Sequence, residues 1–240
     1  MRTLSRGSAR WELSEDRLIL QGVQGMVAFT AARPLGQAAQ ETDLYRVRDL
    51  MEGYNLAPSS VVGMEQVHGA AVALAREAGD RVLPGCDGVV TAVANVALTL
   101  RSADCLPIVA WDPGRKLLGL AHVGWRGARG RLPVFLLKRL RSLGADPASV
   151  CVAIGPGIGP CCYAVGEEFQ GWCGSHLKER DGKLFLHLEE AVISQLKEVG
   201  VSADQILRSP ACTCCRGDLF FSYRREGESA GRMVTCALLL

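Results

Sequence analysis

The sequence predicts an α+β fold with mixed or antiparallel β-sheets, and three observations support this prediction. Short apolar runs rich in β-branched residues follow one another between residues 60 and 123, separated by turn-forming residues. Most segments with helical periodicity come after these runs, and regular alternation of strands and helices is absent. The 240-residue chain shows no internal repeat, low-complexity tract or long linker. We therefore expect a single domain over residues 1–240.

Periodicity and turn signals predict the elements in order. Apolar residues recur at helical spacing through Glu41–Tyr54, and a turn at residues 112–114 joins two apolar runs as a hairpin. Pro133 suits the first turn of a helix, and Gly144 suits the position after its end. The predicted strands are Val23–Thr30, Val61–Gln66, Ala71–Ala75, Val89–Ala94, Val96–Leu100, Leu106–Trp111, Leu117–Val123 and Val150–Ile154, with short strands near Ile206, at Phe220–Tyr223 and at Met233–Leu240. The predicted helices are Glu41–Tyr54, Leu132–Leu143, Val165–Cys173 and His187–Val199.

Composition and charge exclude some classes of protein. Apolar residues make up 48% of the chain and charged residues 22%, as in ordinary globular proteins. The net charge is only +2, without the basic excess of nucleic-acid-binding proteins, so we expect no nucleic-acid partner. The one basic stretch, Arg126–Arg141, is interpreted as a solvated helix face, with a site for one anion at its start as the alternative.

The N-terminus and the cysteines bear on location. No apolar segment typical of a signal peptide follows Met1–Arg17, and no apolar run approaches the roughly 20 residues of a membrane span. We expect a cytoplasmic protein that does not bind membranes, with most of its ten cysteines reduced and buried. Two segments are rich in cysteine: one holds Cys161 and Cys162, and the other holds Cys212, Cys214 and Cys215. A structural metal or a redox function is conceivable there, but the CxxC repeats of a zinc ribbon are absent.

Three residues are candidate metal ligands: His68, Cys105 and His122. Each lies at the end of a predicted strand beside small residues, where loops converge at the rim of a sheet. Imidazole and thiolate are ligands that zinc prefers, and three protein ligands with an open position are the pattern of a catalytic site. The long spacing is not a local signature, so core or turn roles stay open at this point.

Two acids lie beside these candidates. Asp104 enters an apolar strand and must find a polar partner, so we interpret it as functional. Asp87 precedes Gly88, and it is either a turn residue or a residue that orients a ligand.

Two glycine-rich segments could bind anions. The segment Gly124-Trp125-Arg126-Gly127 is predicted as a tight turn in which Arg126 either contacts phosphate or is solvated. Residues 155–160 form either a shaped turn or an anion-binding loop before a helix. The GxSxG, HExxH and GxGxxG motifs are absent, as is the HxE with PCxxC signature of zinc deaminases.

Several motifs, in this order, resemble those of a known family. They are Gln66-Val67-His68-Gly69, Ala103-Asp104-Cys105-Leu106-Pro107, His122-Val123-Gly124-Trp125-Arg126-Gly127, Ile154-Gly155-Pro156, Cys212-Thr213, Phe221-Ser222-Tyr223-Arg224-Arg225 and Gly231-Arg232. From about Gly25 onwards the chain resembles the multicopper polyphenol oxidoreductase laccases, also described as purine nucleoside phosphorylases of the YfiH/LACC type. The HxGWRG and ADCxP elements are specific in combination.

The resemblance implies a fold, a metal and an activity. The implied fold is a layered α/β sandwich of four layers with mixed β-sheets. The implied metal is Zn²⁺ held by His68, Cys105 and His122, with Cu²⁺ as the alternative. The implied reactions are phosphorolysis of adenosine, inosine and methylthioadenosine to the free base and ribose 1-phosphate, and deamination of adenosine. The alternatives are a copper laccase, a peptidoglycan-editing enzyme and a zinc-stabilised binding module without enzymatic activity.

The resemblance also implies site roles and partners. The expected catalytic residues are His68, Cys105, His122 and Asp104, and the expected substrate-binding residues are Gln66, Arg126, Tyr163 and Arg224. We expect Arg126 and Arg224 to hold phosphate and Asp104 to orient or deprotonate the water of deamination. The expected partners are a purine nucleoside and phosphate, and a homo-oligomer is compatible with the sequence. A true laccase needs several copper sites and hence many histidines, whereas the chain has four.

The N-terminal third departs from the family pattern. Residues 29–36 replace an STRxGGVS-like segment, and Val47-Arg48 stands where an Asn-Arg pair is expected. If that Asn contacts substrate, the resemblance implies altered specificity or low activity for this chain.

Overall fold

The computed structural model describes residues 9–14, 16–33, 44–208 and 211–240. Within these ranges the strands are β1 (Arg10–Ser14), β2 (Arg17–Gln21), β3 (Met26–Ala31), β4 (Ser60–Met64), β5 (Val72–Ala75), β6 (Arg81–Leu83), β7 (Gly88–Thr91), β8 (Val96–Ser102), β9 (Leu106–Asp112), β10 (Leu117–Val123), β11 (Cys151–Ile154), β12 (Ala164–Val165), β13 (Leu177–Arg180), β14 (Lys183–Leu186), β15 (Ile206–Leu207) and β16 (Met233–Leu239). The α-helices are α1 (Leu44–Glu52), α2 (Trp125–Arg129), α3 (Leu132–Ser142), α4 (Gln170–Cys173), α5 (Leu188–Glu198) and α6 (Tyr223–Glu226).

These strands form three sheets. The first has the order β1-β2-β3-β16-β8-β4-β6, the second β15-β11-β9-β10-β7-β5, and the small third β12-β14-β13. In the first sheet β4 runs parallel to β6 and β8, and in the second β11 runs parallel to β15 and β5 to β7. The other pairs are antiparallel. The combination of mixed sheets and helices confirms the predicted fold class.

Helix and sheet layers stack in the order helix, sheet, sheet, helix. One apolar cluster joins α1 to the first sheet, a second joins the two large sheets, and a third joins the second sheet to α3 and α5. Representative members are Met51 and Val61 in the first cluster, Leu98 and Leu120 in the second, and Ile108, Leu136 and Val192 in the third. Because both faces of β9 and β10 are covered, these strands are continuous apolar runs without polar alternation.

The β9–β10 hairpin brings distant residues to one edge. The Asp112 carboxylate accepts the backbone N–H groups of Gly114 and Arg115 at 2.9 and 3.0 Å, which closes the turn. The strands pair along their whole length, from Asp112 opposite Leu117 to Leu106 opposite Val123. Cys105 and His122 therefore lie at the same open end of the hairpin.

The start of the chain differs from expectation. Strands β1 and β2 pair as a hairpin that the sequence did not predict, because exposed polar and charged residues alternate with its apolar ones. The strand predicted at Val23–Thr30 is found at Met26–Ala31. Residues 34–36 and the predicted helix start at 41–43 lie outside the described residues. No helix among the described residues is both long and apolar enough to cross a membrane.

Three later predictions also need correction. The strand predicted at Phe220–Tyr223 is wrong: Phe220 and Phe221 are buried without strand pairing, and Ser222 is the N-cap of helix α6. The tight turn predicted at residues 124–127 is the first turn of helix α2, with Gly124 just before it. The helix predicted at Val165–Cys173 begins as strand β12 and becomes α-helical only at Gln170. The loop at 155–160 accordingly leads into a strand.

Candidate metal centre and cavity

A buried carboxylate shapes the loop that carries His68. This loop joins β4 to β5. The Asp87 carboxylate, just before β7, accepts hydrogen bonds from the loop's backbone N–H groups: Val67 at 3.1 Å, His68 at 3.0 Å and Gly69 at 2.7 Å. His68 adopts φ 58°, a left-handed conformation that is unusual for a residue with a side chain. The three N–H bonds to one carboxylate therefore hold His68 in a strained position at the end of the sheet.

The same carboxylate orients His122. His122 Nδ1 lies 2.9 Å from Asp87 Oδ1, and both side chains are buried. The contact leaves the other ring nitrogen of His122 to face Cys105. Burial raises the pKa of Asp87, but the hydrogen bonds from His122, Gly69 and Val67 outweigh it and hold that pKa below its usual range. Carboxylates orient metal-binding histidines in this way, which favours the orienting interpretation of Asp87.

His68, Cys105 and His122 meet at one point. Their potential ligand atoms all lie within 4.8 Å of one another, and the two imidazole centroids are 4.9 Å apart. Burial alone disfavours the thiolate of Cys105, but the two imidazoles outweigh it and lower the pKa of this thiol to about 6. Burial lowers the pKa of His122, but Cys105 and Asp87 raise it to about 9. The centre therefore favours a thiolate.

The donor set fits a metal ion. Two imidazoles and one thiolate are borderline-soft donors, and tetrahedral zinc places such atoms roughly 3.3–3.8 Å apart. Gly124 follows His122 closely and has no side chain; a Cβ there would lie 2.7 Å from Cys105 Sγ. The backbone thus leaves just enough room for the thiol. These three residues form a candidate metal-binding site.

A cavity of about 520 Å³ opens above this site. All eight residues predicted from the sequence line it: Gln66, His68, Asp104, Cys105, His122, Arg126, Tyr163 and Arg224. Arg101, Tyr223 and Arg232 also line it, although the sequence predicted no role for them. Tyr223 and Arg232 lie within the quoted motifs, so a signal was present for them. Arg101 is in strand β8 and carried no such signal.

Two lining arginines lie over aromatic rings. The Arg126 guanidinium is 4.4 Å from the ring centroid of Trp125, and that of Arg224 is 5.2 Å from the ring centroid of Tyr163. Burial raises the pKa of Tyr163, which keeps its phenol protonated. The cavity wall therefore combines fixed cations with aromatic surface.

Asp104 links the centre to a distant loop. Its Oδ1 accepts the Thr213 hydroxyl at 2.6 Å, and its Oδ2 accepts the backbone N–H of Arg224 at 2.7 Å. Asp104 also adopts φ 84°. The polar partners that the sequence analysis required of Asp104 are thus present, and they fix the segment that carries Arg224.

Gln66 and Val47 differ in their relation to the cavity. The Gln66 amide donates to Arg101 O and accepts from Arg101 N, both at 2.7 Å, so it ties the end of β4 to β8. Val47 is buried in the cluster between α1 and the first sheet and is not among the described residues that line the cavity. Its neighbour Arg48 pairs with Asp80 at 2.8 Å.

Comparison with known proteins places these features in a family. The profile of the family described as multi-copper polyphenol oxidoreductase laccase matches residues 39–240. Purine nucleoside phosphorylase YlmD of Geobacillus stearothermophilus is 38% identical over 191 residues, which cover 71% of this chain and 69% of that protein. Adenosine deaminase RL5 from an unknown prokaryote is 32% identical over 165 residues, covering 65% and 63%. The crystal structure of the Bacillus licheniformis hypothetical protein YfiH superposes with a TM-score of 0.85 at 26% identity, covering 95% of this chain and 97% of that one.

Proposed function

The chain belongs to the multi-copper polyphenol oxidoreductase laccase family, and from this premise we propose that it is a zinc-dependent purine nucleoside phosphorylase. The proposed substrates are adenosine, inosine and methylthioadenosine with phosphate, and the products are the free base and a ribose 1-phosphate. Deamination of adenosine is the proposed second activity. The relatives named as a purine nucleoside phosphorylase and an adenosine deaminase support an enzyme of purine metabolism.

One observation carries the proposal: the three candidate metal ligands lie at the bottom of a cavity that arginine side chains line. His68, Cys105 and His122 would hold the zinc ion, which supplies Lewis-acid chemistry when bound. Among the described residues three protein ligands converge there, and this number is typical of a catalytic rather than a structural zinc site. The alternative function, a zinc-stabilised binding module, would need a fourth protein ligand to close the coordination of the metal.

The wall residues fit a nucleoside and a phosphate. Phosphorolysis requires a dianion to be held while it attacks the ribose C1′ and the purine leaves. Guanidinium groups bind phosphate through paired donors, and we assign this role to Arg126 and Arg224. The rings of Tyr163 and Trp125 offer apolar faces for the purine. Asp104 retains its proposed catalytic role of orienting water for deamination, although both its oxygens already accept hydrogen bonds.

The first test separates the two reactions. The metal-loaded protein is incubated with adenosine, with and without phosphate, and the products are resolved by chromatography. Phosphate-dependent release of adenine that is lost in His68→Ala, but kept in the control His176→Ala, supports the phosphorylase. Inosine formed without phosphate would make deamination the main reaction. No turnover by zinc-loaded protein would contradict both activities and favour a cell-wall precursor or a binding function.

Arg126 is tested separately. We expect Arg126→Ala to raise the KM for phosphate at least tenfold, because a charge-assisted contact of about 1.5–3 kcal/mol is lost. Arg129→Ala, on the same helix α2 but not among the described lining residues, is the matched control. An unchanged KM for phosphate in Arg126→Ala would remove this residue from the phosphate site.

Oxidase chemistry with several coppers is less well supported. The two histidines outside the triad are His176 and His187, and no group of candidate ligands found among the described residues contains either. A single Cu²⁺ could still replace zinc at the triad, because Cu²⁺ binds most nitrogen and sulfur sites more tightly.

We also propose that residues 1–240 work as one domain. The apolar cluster between the two large sheets supports this, since it includes residues from β3 and β16 as well as from β9 and β10. The candidate metal centre takes His68 from the loop after β4 and His122 from β10, so both sheets must be packed for it to form.

A further inference from the structure

A second cluster of potential metal donors lies outside the triad. The thiols of Cys161, Cys162, Cys212 and Cys215 have their sulfur atoms within 4.8 Å of one another. Cys215 Sγ lies 3.4 Å from Cys162 Sγ and 3.5 Å from Cys161 Sγ. None of these thiols lines the cavity described above.

The sulfur spacing distinguishes a metal site from a disulfide. Zinc–sulfur bonds of about 2.3 Å in a tetrahedron place the sulfur atoms roughly 3.8 Å apart, close to the observed separations. A disulfide brings two sulfur atoms to about 2.05 Å and leaves the others unpaired. Here Cys215 approaches two thiols at nearly equal distance, as expected for four ligands around one centre.

The backbone around Cys212 favours a thiolate. Cys212 and Cys215 have CxxC spacing in a turn that is closed by the Arg216 N–H donating to Cys212 O at 3.0 Å. The Gly159 N–H donates to Cys212 Sγ at 3.1 Å. Such donation stabilises the deprotonated form, which is the form that binds metals. Gly159 has no side chain to block this approach; a Cβ would meet Cys161 Sγ and Cys212 Cβ at 3.3 Å.

Three arginines surround the cluster. Arg180 donates to Cys161 O at 3.1 Å, Arg224 to Cys162 O at 3.3 Å, and Arg225 to Cys214 O at 2.8 Å. Each guanidinium therefore fixes the backbone beside one of the thiols. These contacts hold the backbone of the cluster in place, so the four sulfur atoms stay close together.

We propose that Cys161, Cys162, Cys212 and Cys215 bind one Zn²⁺ ion as a second, structural metal site. Four thiolates in a tetrahedron are the donor set of closed structural zinc sites. The thiols lose their protons to solvent when the ion binds, so the site fills more readily as the pH rises.

The site ties together two loops of the cavity wall. One loop, residues 155–163, ends at Tyr163, and the other, residues 211–222, leads into helix α6, which carries Arg224. Apart from the cluster they meet at a backbone bridge between Gly157 and Cys212, where Thr213 N–H donates to Gly157 O at 3.0 Å. The zinc ion would therefore fix the positions of Tyr163 and Arg224 relative to each other in the cavity wall.

The test counts metal ions and identifies their ligands in the full chain. We expect two zinc ions per chain in the wild type, one in Cys215→Ser and one in His68→Ala. Cys214→Ser, in the same turn but outside the four ligands, is the matched control and should keep two. In His68→Ala the remaining ion is exchanged for Co²⁺, and the sulfur-to-cobalt charge-transfer absorption should have the intensity of four thiolates.

Two results would overturn the proposed second zinc site. A wild type with one zinc ion that is lost in His68→Ala and kept in Cys215→Ser would show that only the triad binds metal. Two disulfides among these cysteines, found by thiol counting in the denatured wild type, would replace the metal by a redox pair. The thiol count, and the loss of the single ion in His68→Ala, need no folded cysteine variant. Loss of an ion in Cys215→Ser but none in His68→Ala would support this site while contradicting the zinc-dependent phosphorylase.

Discussion

Gly124 shows how closely single residues pack at the candidate metal centre. A Cβ at this position would lie 2.7 Å from Cys105 Sγ, so Gly124→Ala must displace the thiol. We expect the variant to lose one zinc ion per chain and to be destabilised by about 1–3 kcal/mol, as for other overpacked sites. Metal analysis and thermal unfolding measure both effects.

The control for Gly124→Ala is Gly174→Ala. No neighbouring atom lies within 4 Å of a Cβ at Gly174, and its φ of −50° suits alanine. This control should keep its full metal content. If Gly124→Ala also kept every ion, the thiol of Cys105 would not be a ligand in the arrangement seen here.

The thiol of Cys105 has its own pH signature. Its pKa is lowered to about 6 because His122 and His68 outweigh burial, so in metal-free protein the thiolate forms above about pH 6 and is lost below it. We expect alkylation of Cys105 by iodoacetamide to rise about tenfold per pH unit up to pH 6 and then level off. Peptide mass spectrometry reads each cysteine separately.

Cys161 serves as an internal reference in the same peptide map. Burial and neighbouring thiols raise its pKa to about 11, so its alkylation should keep rising far above pH 7. A Cys105 profile that keeps rising tenfold per pH unit to about pH 8.5, as for an ordinary thiol, would contradict the thiolate–imidazole pairing.

At the residue scale, the sequence predicted the site better than its supports. The eight predicted residues line one cavity, because the motifs mark loops at strand ends. The role of Asp87 stayed open, because its contact with His122 depends on the pairing of Gly88 with Ala121 across two strands. The approach of Cys161 to Cys215, over 54 positions, likewise follows from loop packing that no local spacing encodes.

At the scale of elements, prediction succeeded where local signals agreed. Strand β10 has the predicted bounds, since an apolar run follows a turn that Asp112 closes. Helix α6 was missed because Phe220 and Phe221 have high β-propensity, yet both are buried in a small cluster with Met233. The polar residue Ser222 then begins a helix of only four residues, too short to show any periodicity.

Helix α6 provides a prediction at this scale. Ser222 is fully buried, and its hydroxyl accepts the Arg225 N–H at 3.2 Å as an N-cap. We expect Ser222→Ala to cost about 1 kcal/mol, which lowers the Tm by about 2–4 °C in a protein of this size. Ser229→Ala, which removes an exposed hydroxyl bonded to Glu226 O, should change stability by less than about 0.5 kcal/mol. Equal effects in both variants would show that the cap does not stabilise α6.

At the scale of the whole molecule, the candidate metal centre depends on how the two large sheets pack. The end of β4 carries the segment with Gln66 and His68, and the hairpin of the second sheet carries Cys105 and His122. The Gln66 amide ties β4 to β8 within the first sheet, while Asp87 ties the His68 loop to β10. The centre therefore forms only when the sheets meet, so metal binding and folding should be linked.

This coupling predicts a single unfolding transition. Leu120, in β10, is fully buried in the cluster between the sheets, so Leu120→Ala should cost about 2–5 kcal/mol. Far-ultraviolet circular dichroism and tryptophan fluorescence are followed together at a fixed zinc concentration, because bound metal shifts the midpoint. Both signals should shift together to lower temperature in Leu120→Ala and stay unchanged in Leu240→Ala, whose side chain is 61% exposed. If only one of two resolved transitions moved, the sheets would unfold independently, and the single-domain proposal would be wrong.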